Sequence, residues 1–316
     1  MAATAETRDR PVTAGLFRLE LPDGEICLAS GSVEEGARRL LAPGLTIGAI
    51  LREGVGGLAA AVLEAGGPIT SIPTGARVLA PVDAQEVWAA GVTYERSRDA
   101  RMEESTEASV YDHVYDAERP ELFFKAPGWR VRGPGESVGV RADSEWDVPE
   151  PELALVVTSD LEIAGYTIGN DVSSRTIEGE NPLYLPQAKV YDGSCALGPA
   201  LVPADAAGAP FTLRLVIVRD GAVIVDEATS TARIRRPLIE LVGFLGRALE
   251  LPSGAILLTG TGIVPAAPFS LLDGDVVRIE GGPLGVLENP VVTVGGSRGQ
   301  RSRGAAAAPA QGAARR

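Results

Sequence analysis

Lysine is almost missing from this sequence. Its 316 residues hold 29 lysines and arginines together, and only Lys125 and Lys189 among them are lysine. Wherever a generic positive charge serves, the chain uses arginine. A lysine kept against that background is a candidate for what arginine cannot do, which is to lose a proton or to place a compact ammonium. Histidine is scarcer still: the one residue, His113, sits in the polar segment VYDHVYDAERP and reads as a surface side chain. A single imidazole excludes a His-rich zinc site and argues against a Ser-His-Asp triad. Two cysteines, Cys27 and Cys195, make neither a zinc site nor a disulfide framework, and read as small buried hydrophobes. No long apolar run exists, since the stretch near residues 45–65 is broken by Arg52 and Glu53. Nothing is therefore expected to span a membrane, and the N-terminus lacks the charged start and apolar core of a signal peptide. Nucleotide loops are absent too. Gly54, Gly56 and Gly57 fall inside a helical pattern instead of after a strand, and GTGIVP, which opens like a fingerprint, ends in proline.

What is present is acidic. The formal charge is −13, although five arginines (Arg298, Arg301, Arg303, Arg315, Arg316) crowd the end of the chain. A body of this sign repels nucleic acid and anionic membrane, which leaves a small molecule as the expected partner; the cysteine usage and the lack of a signal peptide or spanning run make the cytoplasm the expected location. Organisation follows from patterning. Residues 1–12 read as a flexible lead. GLFRLEL and EICLAS read as two strands around a Pro-Asp-Gly turn. SVEEGARRLLA, with Ser32 as N-cap and acids in its first turn, predicts a helix, and TIGAILREGVGGLAAAVLEAGG one or two more. Together these make a small α+β domain over 13–80. From residue 81 to 295 short apolar runs punctuated by Gly and Pro predict a mostly β sandwich or roll. Helices interrupt it near SRDARMEES and at RPLIELVGFLGRALEL. Residues 296–316 have almost nothing to bury and read as a disordered tail.

With histidine and cysteine excluded, carboxylates are the metal-ligand candidates. Glu150 and Glu152 open the apolar run PEPELALVV, one residue apart. In an extended chain they point to one face, where two acids repel unless a cation lies between them. Asp171, ending the run YTIGND, offers a third oxygen donor. Oxygen sets of this kind suit Mg²⁺, and also accept Mn²⁺ or Ca²⁺.

The segments EPELALVV, IAGYTIGNDVSSR, ALGP, LLTGTGIVP and LLDGDVVRIEGGPLGVLENPV occur in one order over roughly residues 85–295. As a set they resemble the fumarylacetoacetate hydrolase family. The resemblance implies a fumarylacetoacetate-hydrolase-like β-roll catalytic domain, a homodimer or higher homo-oligomer, and an ion held by Glu150, Glu152 and Asp171. Hydrolases of that family carry G-x-N-Y-x-x-H-x-x-E, whose His and Glu activate water. Here the stretch is GVTYERSRDA, with Ser97 in place of the His and Ala100 in place of the Glu. That departure weighs against acylpyruvate hydrolysis and oxaloacetate decarboxylation. ENPLYLPQAK and ERPELFFKA resemble instead the sugar-acid dehydratase branch, whose members remove water from a 2-dehydro-3-deoxy sugar acid to give 2,5-dioxopentanoate.

Such a reaction needs a base at C3, an acid for the C4 hydroxyl and an anchor for the carboxylate. Lys189 is the expected acid–base group, with Glu121 the other base candidate and Lys125 a charge partner or substrate anchor. Which of Glu121 and Lys189 takes the C3 proton stays open. Thr261, between glycines in TGTG, is expected to bind the carboxylate, while Ser97, Arg96 and Arg98 face substrate hydroxyls or a lid. Tyr184 and Gln187 are expected to read sugar hydroxyls, and Phe123 and Phe124 to pack in the core. A catalytically silent, metal-stabilised binding protein is the alternative from another class. The presence of all three carboxylates and both lysines weighs against it.

Overall fold

The computed structural model describes residues 13–63, 71–96, 114–265 and 268–296. Its strands, in chain order, are β1 (Ala14–Glu20), β2 (Ile26–Ser32), β3 (Gly36–Leu40), β4 (Arg77–Leu79), β5 (Glu86–Gly91), β6 (Glu121–Pro127), β7 (Val138–Arg141), β8 (Asp147–Val148) and β9 (Pro151–Val157). They continue with β10 (Ile163–Asp171), β11 (Ser173–Ser174), β12 (Cys195–Pro203), β13 (Thr212–Arg219), β14 (Ala222–Ser230), β15 (Ala255–Leu258), β16 (Val276–Glu280) and β17 (Val286–Val294). Short helices lie between them: α1 (Ile47–Arg52), α2 (Val55–Leu63), α3 (Arg175–Glu180), α4 (Leu185–Lys189), α5 (Ala204–Ala207) and α6 (Leu238–Leu245). The mostly β, α+β class expected from the sequence is the one observed.

A ten-stranded sheet runs β3-β2-β1-β12-β10-β9-β15-β5-β6, with β4 attached to β1. A second sheet runs β14-β13-β16-β17-β7. The central strand β9 is buried along its whole length, which requires cover on both faces. Alternation supplies it. Leu153, Leu155 and Val157 enter one core, shared with Leu215, Ile217, Val277 and Ile279 of the second sheet and with Leu241 and Val242 of α6. Ala154 and Val156 enter the other, capped by Ile47, Ile50 and Leu51 of α1 and Leu58 and Val62 of α2. Strand β15 divides the same way, Ala255 and Leu257 to the first core and Ile256 and Leu258 to the second.

The N-terminal hairpin forms as expected, β1 pairing β2 from Ala14↔Ser32 to Glu20↔Ile26. It also joins the large sheet, since β1 meets β12 at Leu16↔Leu201. The helix expected from Ser32 is a strand instead. Ser32 Oγ accepts hydrogen bonds from the backbone N–H groups of Glu34 and Glu35 at 3.2 and 3.3 Å, closing a turn. Gly36 then takes φ +91°, a left-handed conformation that suits glycine, and β3 folds back on β2 with Ala29↔Leu40. The one or two helices expected after residue 45 are two, α1 and α2, and α6 lies inside the last predicted helix, ending before Gly246. The lead over residues 1–12, the helix near SRDARMEES and all but the first residue of the tail over 296–316 lie outside the described residues. Among the described residues no helix is long and apolar enough to cross a membrane.

Candidate active site

Strand direction gathers the chemistry at one end of the large sheet. β9 is antiparallel to β10 and β15, and β15 is parallel to β5, which pairs antiparallel with β6. The starts of β9 and β6 therefore lie beside the ends of β10, β15 and β5. Register completes the arrangement. Glu152 faces Gly169 across the β9–β10 ladder, and Asp171 donates its N–H to the Glu150 carbonyl at 3.0 Å. Residues two apart on a strand share a face, so all three carboxylates project together. Glu150, Glu152 and Asp171 are each no more than 3% exposed, and one carboxylate oxygen from each lies within 4.8 Å of the others.

Three buried anions this close need cations. Lys189, the last residue of α4, donates from Nζ to Glu150 Oε2 at 2.7 Å, Asp171 Oδ2 at 3.0 Å and Ser173 Oγ at 2.6 Å. Lys125 pairs with the other oxygen of Asp171, and its Nζ also donates to the carbonyls of Val172 (3.0 Å) and Lys189 (2.6 Å). The Arg175 Nη2 lies 2.8 Å from Glu150 Oε1. Glu152 differs: its Oε2 accepts the Gly260 N–H at 2.6 Å. Burial, with the charges of Asp171 and Glu150 beside it, pushes the Glu152 carboxyl well above the usual carboxylate range. An all-oxygen donor set, sequestered and mutually repelling, with a lysine ammonium bridging two of its members, is what a hard divalent cation fits.

The remaining expected residues divide. Glu121 opens β6 opposite Gly91 and belongs to the same sheet end. Thr261 is buried, and its hydroxyl donates to the Ile263 carbonyl and accepts from the Ile263 N–H, both at 3.2 Å, so it holds the turn after β15. Phe123 and Phe124 are half-buried, with the Lys189 ammonium 5.4 Å from the Phe123 ring centre. Arg96 is exposed and lines a cavity near Tyr94. Tyr184 and Gln187 face solvent on the segment whose Ala188 and Lys189 point inward. Ser97, Arg98 and His113 lie outside the described residues. Both cysteines are free, and burial pushes the Cys195 thiol up to about 12, which leaves it inert at neutral pH.

Two residues of the site escaped the sequence reading, Ser173 and Arg175. Their signal is the run GNDVSSR, where an arginine follows a ligand candidate by four positions. An arginine in a chain full of arginines gave no reason to single it out.

Comparison with known proteins gives concordant findings. The family model for the fumarylacetoacetate hydrolase C-terminal domain matches residues 86–292. A probable 2-keto-3-deoxyxylonate dehydratase of Haloferax volcanii is 50% identical over 250 residues, 78% of this chain and 86% of that protein. A 2-dehydro-3-deoxy-D-arabinonate dehydratase of Saccharolobus solfataricus is 46% identical over 221 residues, 68% of this chain and 74% of that protein. Among solved structures, a 2-keto-3-deoxy-D-arabinonate dehydratase complexed with magnesium and 2,5-dioxopentanoate superposes with a TM-score of 0.73 at 35% identity, covering 88% of this chain and 99% of that one.

Proposed function

Because the chain belongs to the fumarylacetoacetate hydrolase family, we propose that it is a Mg²⁺-dependent dehydratase of a 2-dehydro-3-deoxy sugar acid, forming 2,5-dioxopentanoate. The observation that carries this reading is the buried carboxylate trio with a lysine ammonium in its midst. Relatives named as dehydratases of such acids accompany it at 46% and 50% identity. Glu150, Glu152 and Asp171 would hold the ion, which when bound supplies a Lewis acid for the carboxylate and C2 carbonyl of the 2-oxo acid. Lys189 and Glu121 share the proton work. One takes a proton from C3 and the other delivers one to the C4 hydroxyl, so that the C3–H and C4–O bonds break and water leaves. Proton shifts out of C5 and its hydroxyl onto C3 and C4 then turn the unsaturated product into the dioxo acid. Lys125 and Arg175 hold Asp171 and Glu150 in place, and Thr261 shapes the turn that presents Gly260. The reading is completed by a cytoplasmic location and a homodimer or higher homo-oligomer.

The test is an assay of chelator-treated protein on 2-dehydro-3-deoxypentonate, with and without Mg²⁺. Dioxopentanoate should appear only with the ion, and melting should rise with it. Saturation at 100 times the dissociation constant adds about 2.7 kcal/mol to stability. Pyruvate release from an acylpyruvate, without any dioxopentanoate, would replace this reading with the hydrolytic one.

Glu121 offers a sharper check. A Cβ at Gly91 would meet the Glu121 carboxylate, coming within 2.7 Å of its Cδ. The obstacle is the far end of a flexible side chain, so Gly91→Ala should fold and displace the carboxylate instead. Turnover is expected to fall about a hundredfold, the cost of misplacing a reacting group by about 1 Å. Steady-state kinetics beside a melting curve would show it. Unchanged turnover would remove Glu121 from the proton work.

A further inference from the structure

Behind the turn that follows β15 lies a cavity of about 610 Å³, lined by Tyr94, Thr229 and Gly262 with Arg96 and Arg233 among its other walls. Two hydroxyls in its lining have no hydrogen-bond partner among the described residues, Tyr94 OH and Thr229 Oγ1. Tyr94 is 2% exposed and Thr229 6%. Buried hydroxyls left without partners are uncommon in folded proteins and want an explanation. Packing fixes both. A Cβ at Gly262 would come within 2.6 Å of Thr229 Oγ1 and of the Tyr94 ring, so glycine at 262 lets the two side chains close on the turn. Thr93, next to Tyr94, donates from Oγ1 to the Thr259 carbonyl at 2.6 Å and ties the start of this segment to the same turn.

The cavity neighbours the carboxylates. Gly260, two residues before Gly262, is the donor to Glu152 Oε2, and burial, with Glu152 nearby as the lesser cause, pushes the Tyr94 phenol above its ordinary range. Tyr94 is thus a donor at any working pH. Arg235 is committed to Asp116 and to the Tyr115 carbonyl. Arg96 and Arg233 have no ion-pair partner among the described residues, and Glu95 shares the lining with them, so the walls are polar and of mixed charge.

We propose that this cavity receives the end of the substrate remote from its carboxylate, with Tyr94 OH and Thr229 Oγ1 hydrogen-bonded to the C5 hydroxyl. The inference rests on the dehydratase reading and adds to it the residues that recognise the chain end. It assigns that recognition to the segment after β5 and the end of β14, not to Tyr184 and Gln187, which face solvent.

The experiment compares two substrates, 2-dehydro-3-deoxypentonate and 4-hydroxy-2-oxopentanoate, which keeps the reacting carbons and lacks the C5 hydroxyl. Wild type should prefer the hydroxylated acid in kcat/KM. Tyr94→Phe and Thr229→Val, which keep shape and remove a hydroxyl partner, should each lower that preference about tenfold, the effect of losing one well-placed hydrogen bond. The change should lie in KM for the hydroxylated acid. A general disturbance of folding would lower both substrates together and leave their ratio alone, so an unchanged ratio in both variants overturns the subsite while leaving the dehydratase reading intact. A wild-type protein that dehydrates neither acid overturns both.

Discussion

Lys189→Met is expected to lower kcat/KM for the 2-oxo acid by about a thousandfold, within the span that a positioned acid–base group contributes. Methionine keeps the length and apolar body of the side chain and removes only the ammonium, whose three hydrogen bonds run to Glu150, Asp171 and Ser173. The change should act on turnover and not on metal affinity. In this structure the ammonium lies between two of the three carboxylates, so it competes with a divalent cation for the same oxygens. Its removal should leave Mg²⁺ binding as tight as in wild type or tighter. Calorimetric titration with Mg²⁺ beside steady-state kinetics separates the two roles. Turnover within tenfold of wild type would take Lys189 out of the proton transfer. Loss of turnover together with loss of metal affinity would make it a structural clamp.

The carboxylate trio was legible because strands have a period of two and because acids are conspicuous at the mouths of apolar runs. Glu150 and Glu152 had to share a face once β9 was extended, and Asp171 had to sit beside them once β10 paired with β9. The lysines were legible by rarity, an argument from residue chemistry that needs no structure. How they reach the site was not. Lys125 lies in β6 where the register with β5 shifts, between Ala126 opposite Val87 and Phe124 opposite Trp88, and a bulge re-aims a side chain in a way alternation does not foresee.

Lys189 rides on a helix of five residues, too short for a hydrophobic period to declare which side faces in. The pattern alone therefore does not separate Ala188 and Lys189, which are buried, from Tyr184 and Gln187, which face solvent. The helix expected at Ser32 failed for a related reason. Serine followed by acids is a helix start, but the same hydroxyl also closes a turn on the N–H groups two and three residues on. Pairing with β2, a tertiary matter, decided between them.

Lys125→Met should be the most destabilising single change in the site. The residue is fully buried and answers three groups at once: a carboxylate oxygen of Asp171 and the carbonyls of Val172 and Lys189. Removing one partner of a buried ion pair leaves the other charge uncompensated and costs about 3–5 kcal/mol. The lost bond to the Lys189 carbonyl also frees the end of α4 that aims the Lys189 ammonium. The cost should depend on metal. With one cation fewer, the carboxylates gain more from Mg²⁺, so the ion should raise the melting temperature of the variant by more than it raises that of wild type. Urea unfolding of both proteins, with chelator and with saturating Mg²⁺, closes this cycle. A deficit that is large in chelator and shrinks with Mg²⁺ identifies Lys125 as an electrostatic partner of the metal ligands. A deficit of the same size in both conditions would mean that Lys125 acts through the two carbonyls alone.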